Sequence, residues 1–275
     1  MYINKIESYL KNKYIQTYSN LNYDLTNIEN KLSTIISCMN TNTNTNTNTS
    51  TNTNTTNINL IVSYYKNTRN HEIDLCLKLN CSNKLFNKII IVNETMTDIP
   101  FIDKNDKRII IINNNNRLTY KDFFNYSNQY TSEDTINILI NSDIVIGENF
   151  CLLHEKMQLN ELFFLTRYDI DKYAQISLCN LLGCDTWIWK NRIECDVGNY
   201  FLGKPYCDFK LAYEFYKIGY KIKNASLDLK TYHIHNINIR NYNHSERIKG
   251  DKFLKIKYSK LNSEFSENDY IFINS

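Results

Sequence analysis

The stretch Ile136-Asn137-Ile138-Leu139-Ile140-Asn141-Ser142-Asp143-Ile144-Val145-Ile146 interrupts an apolar run with Asn-Ser-Asp and then resumes it. A short apolar run is typical of a buried strand, and polar groups inside such a strand are costly unless something binds them. In an open α/β sheet, ligands bind at the carboxyl ends of the strands. The stretch therefore predicts a strand in which Asn141 and Asp143 face a divalent metal and a phosphate group.

Apolar runs on either side of this stretch alternate with segments that have helical periodicity. The predicted strands are Ile58–Tyr64, Lys88–Val92, Arg108–Ile112, Leu162–Leu165, Asp185–Trp189 and Leu227–His235. The predicted helices are Arg69–Asn80, a segment that opens with the capping-box pattern Thr119-x-x-Asp122, Glu148–Leu159 and Cys207–Gly219. Because strands that alternate with helices favour parallel sheets, we expect one α/β domain with a mostly parallel sheet and flanking helices.

Three further segments lie outside this predicted domain, which spans residues 58–250. Residues 1–36 predict a helical N-terminal arm because their apolar residues have roughly helical spacing; they include Ile3, Ile6, Leu10, Leu25, Ile28 and Leu32. Residues 37–57 consist largely of a Thr-Asn repeat that has little to bury, so we expect a disordered linker. Residues 251–275 are mostly polar and are interpreted as a C-terminal tail.

The composition argues against several classes of protein. The formal net charge is only +3 and no block of basic residues is present, so we expect no binding of nucleic acid. The 8 cysteines include no C-x-x-C pair and no zinc spacing, which favours a reduced, cytoplasmic protein. No segment has the pattern of a secretion signal or of a membrane span.

The last predicted strand carries two candidate metal ligands. His233 and His235 lie on one face of that strand, with Cα atoms roughly 7 Å apart. Imidazole nitrogens suit Mn²⁺ or a phosphate oxygen. A hydrogen-bonded histidine of the core is the alternative for either residue.

Two carboxylates are candidates for the general base that would take a proton from an acceptor hydroxyl. Asp208 stands at the start of a predicted helix, where it could face a cleft or could equally be the N-cap. Asp185 opens an aromatic strand in which Trp187 or Trp189 could stack on a sugar. The alternative is an acid at a strand end beside two tryptophans of the core.

Three arginines are candidates for binding a diphosphate. Arg167 follows a predicted strand and could form two hydrogen bonds to phosphate oxygens. Its alternative is a surface ion pair with Asp169 or Asp171. Arg69 and Arg117 are candidates of the same kind.

Taken in order, these segments resemble GT-A-fold glycosyltransferases. The resemblance is carried by Asn-Ser-Asp-Ile at 141–144, Leu-Thr-Arg-Tyr-Asp at 165–169, Asp-Thr-Trp-Ile-Trp at 185–189, Leu-Gly-Lys-Pro-x-Cys-Asp at 202–208 and Thr-Tyr-His-Ile-His at 231–235. The chain is similar to family-2-like enzymes of large DNA viruses, bacteria and some eukaryotes, from about Asn59 to Gly250. The resemblance implies a GT-A-like, Rossmann-type fold and an activity of the hexosyltransferase type.

The resemblance also implies the reactants and the roles of individual residues. The donor would be a nucleotide sugar, usually a UDP-sugar, the cofactor Mn²⁺ or Mg²⁺, and the acceptor a hydroxyl group of a glycan or protein. Each implied role belongs to a residue at a matching position. Tyr64 and Tyr65 would flank the nucleotide base, Glu94 would contact that base, and Asn141 and Asp143 would hold the metal and the diphosphate. Asp208 would be the catalytic base, and His233 or His235, late in the chain, would contact the metal or a phosphate.

Three departures from the family pattern accompany this resemblance. The family pattern has an acid-x-acid signature, but its first position here is Asn141. Where the family has Gly-Cys-Asp-Asn, this chain has Tyr206-Cys207-Asp208-Phe209. Where the family has Gly-Pro-Tyr, this chain has Gly250-Asp251-Lys252. They keep open an alternative in which a catalytically degenerate domain binds a sugar nucleotide, a glycan or a protein partner without turnover. A Rossmann dehydrogenase and a P-loop protein are excluded, because no glycine-rich loop follows the first predicted strand.

Overall fold

The computed structural model describes residues 25–41, 57–66, 69–235 and 244–274. These residues contain sheets of seven, four and two strands. The strands are β1 (Ile58–Tyr64), β2 (Lys88–Asn93), β3 (Ile109–Asn113), β4 (Ile136–Ile140), β5 (Ile144–Ile146), β6 (Glu161–Leu165), β7 (Tyr168–Ile170), β8 (Ile176–Leu178), β9 (Thr186–Lys190), β10 (Lys221–Lys223), β11 (Thr231–Ile234), β12 (Lys252–Ile256) and β13 (Tyr270–Asn274). The helices are α1 (residues 25–41), α2 (Asn70–Ser82), α3 (Tyr120–Asn128), α4 (Leu153–Lys156) and α5 (Cys207–Lys217). No helix among these described residues is long and apolar enough to cross a membrane.

The central sheet contains seven strands in the order β10-β6-β9-β4-β1-β2-β3. Its neighbouring strands run parallel except at β9, which is antiparallel to both β4 and β6. The helix α2 packs on one face of this sheet, and α3 and α5 pack on the other. The predicted fold class, α/β with a mostly parallel sheet and flanking helices, is therefore confirmed.

Burial on both faces explains why the strands of this sheet are almost continuously apolar. In β1, Leu60 and Val62 pack in the same cluster as Ile73 of α2. Ile61, which points to the opposite face, packs in a cluster with Phe123 of α3. Every residue of β1 is consequently buried.

The stretch from residue 136 to 146 forms two strands in two different sheets, so the prediction of one interrupted strand is wrong. β4 belongs to the central sheet, whereas β5 belongs to a smaller sheet with the order β5-β11-β7-β8. A turn separates the two strands, in which the amide of Ile144 donates to the carbonyl of Asn141 at 3.2 Å. Because the chain changes sheets here, Asp143 lies in the connection between the two sheets.

Two other predicted elements are much shorter in the structure. The sequence predicts a helix over Glu148–Leu159, but only a 3₁₀ turn and the single-turn helix α4 form there. It also predicts a strand over Leu227–His235. Residues 225–229 instead form a turn, in which the amide of Leu229 donates to the carbonyl of Ala225 at 3.0 Å, and β11 begins only at Thr231.

The helices α3 and α5 begin in different ways. The predicted capping box of α3 is confirmed, since Asp122 Oδ2 accepts a hydrogen bond from the amide of Thr119 at 2.9 Å and Thr119 Oγ1 accepts one from the amide of Asp122 at 3.3 Å. The helix α5 begins after Tyr206, whose φ of 69° lies in the left-handed region.

The helix α1 packs its apolar face against α2 and the smaller sheet. Four residues at helical spacing are buried in this contact, namely Leu25, Ile28, Leu32 and Ile36. The helix continues past the predicted boundary at residue 36 to residue 41. Residues 1–24 of the predicted arm and 42–56 of the predicted linker lie outside the described residues.

Residues 252–274, predicted as part of a tail, form a hairpin of β12 and β13. Leu254 and Ile256 of this hairpin are buried in the cluster that also contains α5. The hydroxyl of Tyr270 accepts a hydrogen bond from the amide of Ile222 at 3.0 Å and donates one to its carbonyl at 3.1 Å. The hairpin is therefore packed on the same sheet and helix as the predicted domain.

Replacing Ile28 by alanine is expected to lower the free energy of unfolding by about 2–5 kcal/mol, because the side chain is fully buried and its removal leaves a cavity. A urea titration followed by circular dichroism would measure the change. Ser33→Ala, on the exposed side of the same helix, is the matched control and should stay within about 0.5 kcal/mol of the wild type. Equal stabilities for the two variants would contradict the packing of α1 on the smaller sheet.

Candidate active site

The carboxyl ends of the parallel strands of the central sheet meet at one edge. Tyr65 follows β1, Glu94 follows β2, Asn141 follows β4, and Arg167 comes shortly after β6. β9 runs in the opposite direction, so the residue that precedes it, Asp185, lies at this edge. The amide of Asn141 accordingly donates to the carbonyl of Asp185 at 3.0 Å. The fold thus gathers candidate residues from five separate segments.

Asp143, His233 and His235 form a cluster in which one ligand atom of each lies within 4.8 Å of the others. β11 places the histidines there because His233 pairs with Ile144 at the start of β5. His233 Nε2 lies 3.2 Å from Asp143 Oδ2. The ring centroids of the two histidines are 5.2 Å apart. The structure therefore brings together the three residues that were predicted as metal ligands.

The charges in this cluster are coupled. Burial alone would raise the pKa of Asp143, but His233 and Arg69 hold it well below its usual range. Burial would lower the pKa of His233, but Asp143 and Asp169 raise it to about 9, so the imidazolium can donate to both carboxylates at neutral pH. The pKa of His235 falls to about 4 because of burial and the positive charges of Arg69 and His233.

The donor set of this cluster fits a divalent cation. One carboxylate and two imidazoles are ligands that suit Mn²⁺ and related metals. His235 is neutral near pH 7, so a ring nitrogen is available as a ligand. His233 would lose its proton on binding, since imidazole binds metals in its neutral form. Asp143, His233 and His235 are therefore the residues that could hold the metal.

Arg69 is directed toward this cluster and away from solvent. Its Nη1 lies 2.9 Å from Asp143 Oδ2, and its Nη2 donates to the carbonyl of Ile234 at 2.7 Å. Its Nε donates to Glu72 at 2.5 Å, and the side chain is only 7% exposed. This placement differs from the predicted nucleotide contact, because the guanidinium is enclosed between α2 and β11.

A second group of polar side chains adjoins the cluster. Asp185 accepts hydrogen bonds from Asn141 Nδ2 and from Arg167 Nη1, both at 2.5 Å. Arg167 Nε also donates to Asp169 at 2.8 Å. The ion pair with Asp169 that was the predicted alternative for Arg167 is therefore present. Asp171 instead accepts hydrogen bonds from backbone amides of the turn that follows it.

Asp208 lies inside the first turn of α5, and Tyr206 is the N-cap of that helix, so the N-cap alternative for Asp208 is wrong. Its Oδ2 accepts a hydrogen bond from the amide of Cys184 at 2.8 Å. Burial, opposed by backbone hydrogen bonds and reinforced by the charge of Asp185, raises the pKa of Asp208 to about 7. A carboxylate with this pKa can accept and release protons near neutral pH.

Residues predicted to bind the nucleotide separate into two groups. Tyr64 is buried in the core, where its hydroxyl donates to Asp74 at 2.7 Å, so the side chain does not line the edge of the sheet. Tyr65, which follows the end of β1, is half-buried and lies within range of the charges of Arg117 and Glu94. Burial raises the pKa of Glu94 to about 7, although Arg117 opposes this shift.

Arg117 is exposed, and its guanidinium donates from Nη2 to the carbonyl of Leu202 at 2.8 Å. That contact joins the loop before α3 to the loop before α5. Arg117 thus remains at the rim of the region that contains Tyr65 and Glu94.

Trp187 does not face the edge of the sheet, so the prediction that it stacks on a sugar is wrong. The side chain is 2% exposed. It packs edge-on against Tyr120, with ring centroids 5.1 Å apart, and against Phe164 at 6.5 Å. The predicted alternative, a tryptophan of the core beside a strand-end acid, describes its position.

Trp187→Ala should therefore lower the free energy of unfolding by about 3–5 kcal/mol, as expected when a buried aromatic side chain is removed. Chemical denaturation would measure this change. Tyr173→Ala removes an aromatic ring that is 69% exposed and should have almost no effect. A Trp187→Ala protein with wild-type stability would place the ring outside the core.

A surface cavity of about 690 Å³ lies away from these residues. It is lined by side chains that include Tyr216, Tyr220, Phe265 and Tyr270. It adjoins the start of β10, at the edge of the central sheet opposite to the carboxyl ends of the parallel strands. We therefore define the candidate active site by its cluster of charged side chains and not by the volume of a cavity.

Comparison with known proteins gives similarity in structure only. No family model matches the chain, and no curated protein sequence matches it. GalNAc-T7 with UDP, GalNAc and Mn²⁺ is similar with a TM-score of 0.49 and 8% identity, over 68% of this chain and 45% of that chain. The protein thus spans less than half of the length of that structure.

Two further solved structures are similar at comparable levels. The mannosyltransferase PcManGT from Pyrobaculum calidifontis, in complex with GDP-Man and Mn²⁺, has a TM-score of 0.43 and 12% identity over 68% of this chain and 58% of that chain. The 4-diphosphocytidyl-2C-methyl-D-erythritol synthase from Anaerococcus prevotii has a TM-score of 0.40 and 12% identity over 70% and 95%. Similarities this weak support no inference about activity.

Proposed function

We propose that the protein is a metal-dependent glycosyltransferase that moves a sugar from a nucleotide-sugar donor, of the UDP-sugar type, to a hydroxyl group of a glycan or protein. The observation that carries this proposal is the cluster of Asp143, His233 and His235 at the carboxyl edge of the central sheet, near a segment that contains Asp208. The cluster offers ligands for a cation, and Asp208 offers a base with a pKa of about 7.

The metal cluster suits the negative charge that develops on the leaving group of such a transfer, and Tyr65 with its neighbours suits the nucleotide base. Mn²⁺ or Mg²⁺, when bound, neutralises negative charge on the leaving nucleoside diphosphate. Asp143, His233 and His235 are the residues that would hold that cation. Tyr65, with Glu94 and Arg117 near it, offers an aromatic surface and polar groups for the nucleotide base.

Asp208 is the proposed general base. Its carboxylate would take the proton from the acceptor hydroxyl as the oxygen attacks the sugar, which is the role required for transfer with inversion. Asp185 is less suited to this role, because hydrogen bonds from Asn141 and Arg167 already occupy both of its oxygens.

A catalytically degenerate domain that binds a sugar nucleotide or glycan is the second candidate function. The observation that favours it is the neutralisation of Asp143 by the protein itself, since Arg69 and His233 both contact the same carboxylate oxygen. Asn141 is likewise engaged with Asp185. In this alternative, nucleotides bind without turnover and without a requirement for metal.

Thermal unfolding with a panel of nucleotide sugars would test the proposal. Each donor would be added with Mn²⁺, Mg²⁺ or EDTA, and donor hydrolysis would be measured in the same samples. A ligand at a hundred times its dissociation constant should stabilise the protein by about 2.7 kcal/mol. Stabilisation and hydrolysis that both require metal would support the transferase. Stabilisation in EDTA without hydrolysis would support the degenerate domain. No stabilisation by any donor, in a protein that melts cooperatively, would refute the transferase and favour a degenerate domain that binds a glycan or a protein partner.

A further inference from the structure

His233 lies between two carboxylates, one on each side of its ring. Its Nε2 is 3.2 Å from Asp143 Oδ2, and its Nδ1 is 2.8 Å from Asp169 Oδ1. The second contact follows from strand pairing, because β11 and β7 run parallel with His233 directly opposite Asp169. The backbone of the smaller sheet therefore fixes which carboxylate meets Nδ1.

Asp169 is itself held in place. Arg167 Nε donates to the same Oδ1 at 2.8 Å, and Arg167 Nη1 binds Asp185, so the guanidinium spans two carboxylates. On the opposite face of the smaller sheet, Ile170 and Ile234 are buried against α1. The side chain of Asp169 therefore has a defined position although it is 42% exposed.

We propose that Asp169 is a positioning residue for the metal site, an inference that rests on the proposed metal-binding function. Asp169 accepts a hydrogen bond from Nδ1–H of His233. It thereby holds the ring in one orientation and leaves Nε2, on the side of Asp143, as the nitrogen that binds a cation. Such contacts to the second nitrogen of a histidine ligand commonly raise metal affinity by about 10–100-fold.

The test is a titration with Mn²⁺ alone, in which electron paramagnetic resonance measures the free ion. Asp169→Ala should weaken Mn²⁺ binding by about 10–100-fold. Asp169→Asn should weaken it less, because its amide oxygen can still accept the hydrogen bond from Nδ1–H. Asp171→Asn is the matched control, since it removes the same charge just beyond the same strand without touching His233, and it should bind Mn²⁺ as the wild type does.

The possible results separate this inference from the proposed function. A wild-type protein that binds no Mn²⁺ refutes the metal site and the positioning role together. Wild-type affinity in an Asp169→Ala protein that melts cooperatively refutes the positioning role and leaves the metal site intact. If Asp169→Ala does not melt cooperatively, Asp169→Leu decides, because leucine fills a similar space and cannot accept the hydrogen bond from Nδ1–H. Equal affinities for Asp169→Leu and Asp171→Asn would overturn the proposal.

Discussion

Replacing Asp143 by alanine is expected to reduce sugar transfer by about 10³-fold or more and to abolish tight binding of Mn²⁺. Asp143 is the carboxylate of the proposed metal site. A bound cation typically contributes several kcal/mol of charge stabilisation to a transition state, and 1.36 kcal/mol corresponds to a factor of ten in rate. Transfer would be measured with a labelled nucleotide sugar at saturating Mn²⁺, and Mn²⁺ binding would be measured separately.

Loss of Asp143 should also make the protein less stable. Arg69 and His233 both pair with its carboxylate in a largely buried location, and removing it leaves their positive charges with less compensation. Activity must therefore be compared well below the melting transition of the variant. Asp98→Ala is the control, as its carboxylate is 84% exposed and pairs with Lys104 on the surface. Wild-type transfer by a folded Asp143→Ala protein would exclude Asp143 as a metal ligand in the reaction.

The second large effect is expected at Asp208. Asp208→Asn should lower kcat by about 10²–10⁴-fold, the usual contribution of a general base. It should leave Mn²⁺ binding unchanged, because Asp208 is not part of the metal cluster. This separation of catalysis from metal binding distinguishes the base from a ligand, and it can be measured by combining single-turnover transfer with the Mn²⁺ titration.

The pH dependence follows from the pKa of about 7 that burial gives to Asp208. Below pH 7 the carboxyl is mostly protonated and cannot take a proton, whereas above pH 7 it is a carboxylate. The rate of the wild-type enzyme should therefore rise with pH and level off above about 7, and Asp208→Asn should lose this rise. If Asp185→Asn loses it instead, Asp185 is the base.

The sequence predicts much of the central sheet because its strands are short apolar runs bounded by polar residues. β1 has the predicted limits, β2 and β6 differ from the predicted limits by one residue at one end, and β3 and β9 are each shifted by one residue. Asn141 directly follows β4, although the sequence predicts that this strand continues to Ile146. Local patterns are sufficient here because most of these strands are buried on both faces, while β3, at the edge of the sheet, is only partly buried.

Properties that depend on pairing between distant segments were not predictable. No local pattern shows that β5 leaves the central sheet or that β7 lies beside β11, so the contact of Asp169 with His233 has no signal in the sequence. The sequence leaves the environment of Trp187 undecided between a sugar contact and the core for a related reason. Both faces of β9 are covered by other elements, and an alternating aromatic pattern does not distinguish that case from a half-exposed strand.

The position of α1 behind the smaller sheet links the N-terminal region to the proposed cation site. Tyr232 and Ile234 point toward this helix, and His233, between them in sequence, points to the opposite side. A protein shortened to begin at residue 58 would lack the helix that covers the hydrophobic underside of β11, the strand that carries His233. The N-terminal helix is thus a structural support of the proposed metal site, and a protein without it is expected to lose the geometry of that site.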